Sequence, residues 1–470
     1  MEVLQRTANR GSISTGVYEI GNSLKLESDN TEYLYRTLGT PTSTKKFTIS
    51  FWVKRTELGR TLSIFGTTQS SSSPEQTFRI FFENDDQFQV QDYDTSNNYR
   101  LIVPQVFRDT SAWYHIVVAI DTTQATASNR MKFYVNGGQI TDWTDGAETQ
   151  PAQDHDIDVG SGKVLSIGRW VDDNGTAYTE FNGYLAEYNF IDGQQLASTD
   201  FGEYDSDTGI WIPKEYTGTY GNNGFYLDFE DSSSLGADDS GNSNNFTLNN
   251  IAAADQATDT PTNNFCTWNP LWVYQYQPII SEGATKVRYD DSTDEGAKAT
   301  IGLTNGKWYW EAKPVGTIGS QYIGIQTDGD DNIASGQSQS NNYTMVINPT
   351  GRYYSYAGSQ SESADQGWDL TASDWLGIAL DMDSSTQTIK YYKNGSLMQS
   401  LDLISDMQDK TVFPFLQNYE NRSFDINFGG YTINTISSAA TDANGYGTFE
   451  YAPPSGYYAI CTKNLSEFGG

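Results

Sequence analysis

Cysteine, histidine and basic residues are all scarce in this sequence of 470 residues, and each scarcity narrows the range of functions that the chain could have. The chain has two cysteines, two histidines, and 28 Lys and Arg against 60 Asp and Glu, giving a formal net charge of −32. Nucleic acid is therefore excluded as an expected partner, because duplex binding needs cationic side chains to replace phosphate counterions. Two cysteines are too few for a disulfide framework. Cys266 and Cys461 flank the second half of the chain, which leaves open either one bridge or two inert thiols.

Long apolar runs are also missing from the sequence. No run approaches the roughly 18 apolar residues that indicate a membrane helix. The start, Met1 to Arg10, lacks the apolar core of a secretion signal. We therefore expect a chain that folds in a cytoplasm and does not insert into a membrane.

The residues that are abundant are those of strands and turns. Aromatics make up 14% of the chain, and there are 43 glycines. In one stretch Phe47, Ile49, Phe51 and Val53 fall on one face, and Thr48, Ser50 and Trp52 fall on the other, outward face. Such a period of two, bounded by Gly, Asn, Asp and Ser, predicts half-buried antiparallel strands. We expect helix to be confined to a few short turns.

One pattern occurs in both halves of the chain. A short strand ending at Asp121 is followed by Met131-Lys-Phe-Tyr-Val-Asn-Gly137, and one ending at Asp381 by Ile389-Lys-Tyr-Tyr-Lys-Asn-Gly395. The Asn-Gly pair supplies the positive φ values of a tight hairpin. Two such units predict two sandwiches of one superfamily; the alternative is chance recurrence of Asn-Gly hairpins.

The predicted division of the chain follows its composition. Asp228 to Asn264 is rich in Asp, Ser, Asn and Ala, which predicts an irregular, solvated connection. We expect an N-terminal arm at 1–20, a first sandwich at 21–214, a connecting segment at 215–268 and a second sandwich at 269–470. The fold class is all-β, with two tandem antiparallel β-sandwiches.

Specific motifs carry a resemblance to known families. The first 200 residues resemble the laminin-G-like jelly rolls of the concanavalin-A-like superfamily, and the chain from Lys307 resembles a SPRY domain. The first likeness is carried by Phe47–Lys54, Trp113–Val118, Lys132–Gly137 and Phe181–Glu187, and the second by Lys307–Glu311, Tyr322–Ile325, Trp375–Asp383, Tyr391–Gly395 and Phe413–Phe415.

The joining pieces carry a further resemblance, to laminin-G-plus-SPRY virion proteins of tailed bacteriophages. These pieces are Asp192–Leu196, Asp200–Gly202, Lys214–Tyr220, Phe225–Phe229, Asp259–Phe265, Pro453–Tyr457 and Thr462–Leu465. The resemblance implies a non-enzymatic surface protein of the virion: a tail or head fibre, spike or decoration. We expect its partners to be other virion proteins, a host-surface glycan and further copies of itself. A non-viral cell-surface adhesin is the alternative.

Enzymatic machinery is hard to find in the sequence. His115 lies in a predicted strand and is expected to face outward, and His155 lies in an acidic loop. Neither has a nucleophile nearby, and no Gly-x-Ser-x-Gly elbow occurs. A glycan-cleaving hydrolase needs two carboxylates at a set separation. Asp228 with Glu230 and Asp381 with Asp383 are same-face pairs, and for both we expect a structural role in a turn.

Three oxygen-rich loops raise the question of a metal. They contain Asp154 to Asp158, Asp172 to Asn174 and Asp328 to Asn332. Calcium takes six to eight oxygen ligands, but none of the loops has the spacing of a calcium-binding hand. Laminin-G-like domains often hold calcium at one rim of the sandwich. Asp172 and Asp173 are therefore the candidate calcium ligands, and an apo domain is the alternative.

Carbohydrate is the expected class of ligand, since sugar faces stack on aromatic rings and polar side chains bond the hydroxyls. Aromatic residues in loop-like contexts are the candidates, with the alternative that about half face a core. These candidates are Trp143, Trp170, Tyr178, Tyr353, Tyr354, Tyr356 and Trp368.

Overall fold

The computed structural model describes residues 18–68, 76–93, 97–143, 148–171, 177–272, 278–288, 294–328, 343–357, 360–419 and 422–469. These residues form two compact units. The first unit ends at Thr262 and the second begins at Asn263. The predicted arm at 1–20 lies almost wholly outside the described residues. The described part contains no helix that is long and apolar enough to cross a membrane.

The first unit is built from nineteen described strands and three short 3-10 helices. The strands are β1 (Ser23–Leu26), β2 (Tyr33–Thr37), β3 (Lys46–Arg55), β4 (Leu62–Thr68), β5 (Thr77–Phe82), β6 (Gln87–Tyr93), β7 (Asn98–Val106), β8 (Tyr114–Asp121), β9 (Met131–Val135), β10 (Gly138–Ile140), β11 (Val164–Ile167), β12 (Arg169–Val171), β13 (Ala177–Glu180), β14 (Gly183–Asp192), β15 (Gly202–Tyr204), β16 (Trp211–Pro213), β17 (Phe225–Leu227), β18 (Thr247–Asn249) and β19 (Gln256–Ala257). The helices are Ala127–Asn129, Ser198–Asp200 and Ala253–Asp255.

Two antiparallel sheets make the first sandwich. Sheet 1 has the order β10-β9-β8-β3-β14-β1-β19, with β17 also paired to β14, and sheet 2 has the order β18-β2-β11-β4-β5-β6-β7. The predicted alternation is confirmed, because Phe47, Ile49, Phe51 and Val53 are all fully buried in the core between the sheets. Apolar side chains on every second residue place this row on one face.

The opposite face of sheet 1 is also buried, which differs from the half-buried strands that we predicted. All ten residues of β14 are buried, as are nine of the ten in β3. A first cover segment, residues 193–224, packs on this face. Its Phe201 joins Val117, Ala119 and Ile191 in a small second core.

The structure corrects the prediction that residues 215–268 form a connecting segment. Most of it belongs to the first unit, since β17 pairs with β14, β18 with β2 and β19 with β1. Its turn-forming residues are ordered by Asp238, whose carboxylate accepts from the amides of Tyr226, Ser240 and Asn244 at 2.7–3.0 Å. Turn composition therefore marked an organised turn and not a solvated linker.

The second unit contains the remaining strands and one short helix. The strands are β20 (Ile279–Ser281), β21 (Lys286–Arg288), β22 (Asp294–Lys298), β23 (Lys307–Val315), β24 (Gln321–Thr327), β25 (Thr344–Ile347), β26 (Tyr353–Tyr356), β27 (Gln360–Glu362), β28 (Leu376–Asp381), β29 (Thr388–Lys393), β30 (Ser396–Asp402), β31 (Val412–Tyr419), β32 (Ser423–Asn427) and β33 (Tyr458–Ala459). Helix α1 spans Thr462–Phe468.

Two more antiparallel sheets form the second sandwich. Sheet 3 has the order β22-β31-β24-β25-β26-β27, and sheet 4 has the order β30-β29-β28-β23-β32, with the short β33 parallel to β23. A second cover segment, residues 430–461, packs on the outer face of sheet 4 through Phe449 and Tyr457. Each unit is thus a two-sheet sandwich with one sheet covered on its outer side.

The repeated Asn-Gly hairpins are confirmed. Asn136 and Asn394 have φ values of 46° and 49°, and the glycine after each also has positive φ. Each Asn side chain also accepts a hydrogen bond from a backbone amide of the neighbouring strand's first end. The donor is the amide of His115, near the start of β8, in one unit and of Trp375, just before β28, in the other, over 2.8 and 2.9 Å. Asparagine tolerates the left-handed conformation, which is why this residue precedes glycine here.

Candidate binding cleft

A cleft of about 280 Å³ opens at one end of the first sandwich. It lies where β5 begins, β6 ends and the chain enters β3, and the segment between β10 and β11 forms its remaining wall. Its polar lining residues are Thr44, Gln76, Asp92, Tyr93, His155, Asp156 and Asp158. The volume is slightly below the range of about 300–1,000 Å³ that is typical of small-molecule sites, so it suits one small ring.

The wall of the cleft follows from local alternation in Asp154-His-Asp-Ile-Asp-Val159. Ile157 and Val159 are buried in the main core. The amide of Ile157 also donates to the carbonyl of Thr44 over 3.0 Å. With Ile157 and Val159 anchored in the core, Asp156 and Asp158 are among the residues that line the cleft.

Asp92 organises the floor of the cleft. Its Oδ2 lies 2.7 Å from Nε2 of His155, and its Oδ1 accepts from the amide of Asp158 over 3.1 Å. The Tyr99 ring meets the His155 imidazole edge-on, with centroids 4.7 Å apart. Asp92 itself is only 3% exposed, so this network fixes the shape of the cleft.

The other two carboxylates of the cleft have different partners. Asp158 forms an ion pair with the buried Lys163, with Nζ and Oδ1 2.6 Å apart. Asp156 is exposed and accepts a hydrogen bond from the hydroxyl of Thr44. The cleft therefore presents mainly hydrogen-bond acceptors, with Gln76 and Tyr93 adding polar and aromatic surface.

The sequence had drawn attention to part of this site. Asp154 to Asp158 stood out as an oxygen-rich loop, and His155 as a residue of an acidic loop. Thr44, Gln76 and Asp92 were missed, since no short-range signal connects them to this loop. Among the described residues, no group of three or more His, Cys, Asp or Glu could hold a metal ion. The candidate calcium ligands Asp172 and Asp173 lie outside the described residues.

His115 faces away from the main core, as predicted, but it is not exposed. It is 1% exposed, stacks on Trp52 at 4.8 Å and receives a hydrogen bond at Nδ1 from the indole of Trp211 over 3.0 Å. Its Nε2 lies 2.9 Å from the hydroxyl of Ser50. Since Nδ1 accepts, Nε2 carries the proton and donates to Ser50. Burial lowers the pKa of His115 to about 3, so this neutral tautomer cannot activate the serine as a base.

Two buried carboxyl groups lie on the covered sheets. Glu187, in a bulge of β14 with φ of 50°, accepts from the hydroxyls of Tyr18 and Tyr226 over 3.0 and 2.7 Å. Burial raises the pKa of Glu187 to about 7. Glu311 in β23 accepts from the amides of Glu450 and Tyr451, both over 2.8 Å, and burial raises its pKa to about 7 as well. Neither group lines the cleft.

The carboxylate pairs considered for hydrolysis have structural partners. Oδ1 of Asp228 accepts from the amide of Glu230 over 2.9 Å. Oδ1 of Asp381 accepts from the amides of Asp383 and Ser384, both over 3.0 Å, and its Oδ2 pairs with Lys307. These contacts are those of turn-capping carboxylates, as the sequence interpretation expected.

The aromatic candidates of the first unit lie apart from the cleft. Trp170 is 6% exposed, and its indole donates to the Thr77 hydroxyl over 2.8 Å. Trp143 is half-buried against the main core. The side chain of Tyr178 lies outside the described residues. Burial of Trp170 leaves no open ring face for a sugar, so its predicted stacking role is not favoured.

The aromatic candidates of the second unit divide between the two sides of sheet 3. Trp368 is 7% exposed and belongs to the core between the sheets, and the half-buried Tyr353 packs against that core. Tyr354 and the half-buried Tyr356 belong to a cluster on the other side with Trp272. Tyr354 is 7% exposed, so a stacking role is not favoured for it or for Trp368. Ligand binding by the half-buried rings stays a prediction.

The two cysteines are buried and are not joined in a disulfide. Burial raises the pKa of the Cys461 thiol to about 12. A thiol in this state is a poor nucleophile, because the thiolate is the reactive form. The structure therefore agrees with the alternative of two inert thiols.

Comparison with protein families identifies both sandwiches. Residues 28–199 match the concanavalin A-like lectin/glucanases superfamily in its laminin-G form, and residues 307–431 match the SPRY domain. Domains of both kinds are typically non-enzymatic modules that bind carbohydrate or protein. The comparison with curated proteins finds no match.

Solved structures with similar folds include three from different animals. Laminin α1 domains LG4-5 of mouse are 9% identical with a TM-score of 0.31, covering 94% of this chain and 100% of theirs. A SAP-like pentraxin of Limulus polyphemus is 16% identical with a TM-score of 0.29, covering 39% and 81%. The SPRY domain of human HERC1 is 13% identical with a TM-score of 0.27, covering 36% and 99%. These likenesses concern the fold alone. The chain combines a laminin-G-like domain of the concanavalin-A-like superfamily with a SPRY domain.

Proposed function

We propose that this chain is a non-enzymatic surface protein of a tailed-phage virion that binds a glycan of the host surface. The cleft of the first unit is the observation that carries the proposal. It joins carboxylate, amide and hydroxyl groups to an aromatic residue in a space that suits one sugar ring. Sugars offer several hydroxyl donors per ring, and such a site engages them with few, well-placed polar groups.

The place on the virion is supported by the joining pieces that resemble phage proteins. In this chain they have definite structural tasks. Asp192 accepts from the amides of Thr42 and Asn223 over 2.7 and 3.0 Å. Asp259 pairs with the buried Lys54 over 2.7 Å. The joining pieces thus include residues that fasten the first cover segment and the end of the first unit. We propose that the SPRY domain contacts other virion proteins or further copies of the chain.

Binding by the cleft is tested with the whole chain on intact host cells and on a glycan array. We expect Gln76→Ala and Thr44→Ala each to weaken binding by about tenfold, since both remove polar contacts at the centre of a small site. Asp207→Ala is the matched control, because Asp207 is exposed in the same unit but does not line the cleft. Unchanged binding by both cleft variants would refute the assignment of the cleft.

The virion assignment has a separate test. Mass spectrometry of purified particles should find the chain in a fixed ratio to the major capsid protein, after removal of loosely attached material with salt. Absence from the purified particles would refute the virion assignment. Glycan binding by the chain would then favour the cell-surface adhesin.

A further inference from the structure

We infer that the cleft selects uncharged or amino-bearing saccharides and rejects acidic ones, and that Asp156 is the residue that sets this preference. The inference rests on the proposed function and adds the class of glycan. It follows from which carboxylates of the cleft already have a partner, and from what each leaves for a ligand.

Two of the three carboxylates are engaged inside the protein. Asp92 is buried against His155 and the amide of Asp158, and Asp158 is held by Lys163. Lys163 is 7% exposed, and its Nζ lies 2.6 Å from Oδ1 of Asp158. Asp92 and Asp158 therefore maintain the structure of the site, and Asp156 is the carboxylate that remains to select a ligand.

Asp156 is the carboxylate that meets solvent. Its hydrogen bond comes from the neutral Thr44 hydroxyl, and within the described residues no cation forms an ion pair with it. Next to it, Lys45 lies 4.0 Å from Asp154, an acid that is itself 63% exposed. Among the residues that the structure describes, the charge of Asp156 at the mouth of the cleft is therefore not compensated by an ion pair.

The chemistry of the lining decides the ligand class. An ionised carboxylate only accepts hydrogen bonds, so a ligand must bring donors to it. Sugar hydroxyl and ammonium groups donate, whereas the carboxylate of a sialic or uronic acid and the sulfate of a sulfated sugar do not. Like charges placed side by side in an interface cost binding energy and so act against the wrong partner.

The test uses the whole chain and an array of matched saccharides. Neutral oligosaccharides, partly deacetylated chitooligosaccharides, oligogalacturonates and sialylated oligosaccharides are measured at one ionic strength. We expect the acidic probes to bind about tenfold more weakly than the neutral ones, or worse, given one like charge at close range near the surface. Asp156→Asn should raise acidic binding relative to neutral binding, and Asp156→Lys should invert the preference. Asp207→Asn, which removes an exposed carboxylate outside the cleft, should leave the ratio unchanged.

The outcomes separate this inference from the proposed function. Acidic probes that bind as well as neutral ones, and lose binding in Gln76→Ala, would overturn the selectivity while keeping the cleft as the glycan site. An acidic-to-neutral ratio that Asp156→Asn leaves unchanged would overturn the role of Asp156. A chain that binds no saccharide and no host cell would overturn the proposed function, and the inference with it.

Discussion

Each of the two units buries the outer face of one of its sheets, and the two units do so with different residues. In the first unit the cover segment 193–224 packs Phe201 over Val117 and Ile191. In the second unit the cover segment 430–461 packs Phe449 over Tyr309 and Ala379. Both covers follow the last long strand of their sandwich, so each unit has a third layer that lies mostly beyond the family matches, which end at 199 and 431.

The buried carboxyl group beside each cover shows how the solutions differ. Glu187 is held by phenol hydroxyls, which rotate and can either donate or accept. Glu311 accepts from the Tyr309 hydroxyl and the Asn427 side-chain amide, and in addition from the backbone amides of Glu450 and Tyr451, which can only donate. The first carboxyl is therefore replaceable by an amide, while the second works as a clasp for the cover segment.

The largest expected effect comes from cutting the chain at the predicted boundary of the first sandwich. A chain that ends after Lys214, at the predicted domain boundary, loses β17, β18 and β19. It also loses five core residues, Phe225, Leu227, Phe229, Leu235 and Phe246. Each buried phenylalanine contributes about 3–5 kcal/mol, and a domain has only about 5–15 kcal/mol in total, so we expect this fragment not to fold. Circular dichroism during heating measures the outcome.

The matched control for that fragment is a chain that ends after Thr262. It keeps the whole first unit and should unfold cooperatively. A cooperative transition in the fragment that ends after Lys214 would show that residues 215–262 are an accessory and not part of the fold.

An intermediate effect distinguishes Glu187 from Glu311. At pH 8, where both carboxyls are ionised, we expect Glu311→Gln to lower the free energy of unfolding by about 2 kcal/mol, because an amide NH₂ then faces a backbone N–H. Glu187→Gln should leave stability unchanged or raise it, because it removes a buried charge near Asp228 and Glu230. Chemical denaturation of the whole chain measures both, and equal losses would contradict the comparison.

The pH dependence of stability in Glu187→Gln tests whether Glu187 is protonated in the folded protein. The folded pKa of Glu187, about 7, lies above the ordinary value of 4.5, so between these values the folded state binds a proton that the unfolded state does not. The contribution of Glu187 to stability is therefore fully present below about pH 4.5 and falls as pH rises toward 7, by at most about 1.4 kcal/mol per pH unit. The free energy of unfolding of Glu187→Gln should therefore increase relative to that of the wild type as the pH rises over this range. A constant difference from pH 5 to 8 would show that Glu187 is not protonated in the fold.

The smallest effect is expected at the feature that the two units share. Asn136→Gly and Asn394→Gly keep the positive φ but lose the side-chain acceptor, so each should cost about 1 kcal/mol. The corresponding alanine variants should cost about 1–2 kcal/mol more, because alanine strains the left-handed conformation. Thermal unfolding checks this, and clearly unequal costs in the two units would mean that the hairpins are not equivalent.

Much of the fold was predictable because its signals are local. The alternation from Phe47 to Val53 fixed the inward face of β3, and Asn136-Gly137 and Asn394-Gly395 marked two hairpins. Local alternation did not predict burial where a cover segment adds a third layer to the sandwich. Trp52 and His115 read as outward-facing, and the sequence near them says nothing of Trp211, which comes about 100 residues later and covers His115.

The cleft was only partly predictable for the same reason. The acidic loop at Asp154–Asp158 was visible in the sequence, but its partner Asp92 is 63 residues from His155. Glu187 gave no signal at all, because glutamate in a left-handed bulge follows no propensity. The buried Trp170, Tyr354 and Trp368 show that aromatic rings in turn-rich contexts are not thereby exposed.

The sequence by itself determined two antiparallel sandwiches, their inward-facing rows and their shared hairpins, because a period of two and an Asn-Gly pair act within a few residues. Only the tertiary structure decided which outward faces are covered, which carboxyl groups are buried and which distant side chains meet in the cleft. Those outcomes depend on the order of strands in each sheet and on where the returning chain packs, and neither is encoded in any short stretch of residues.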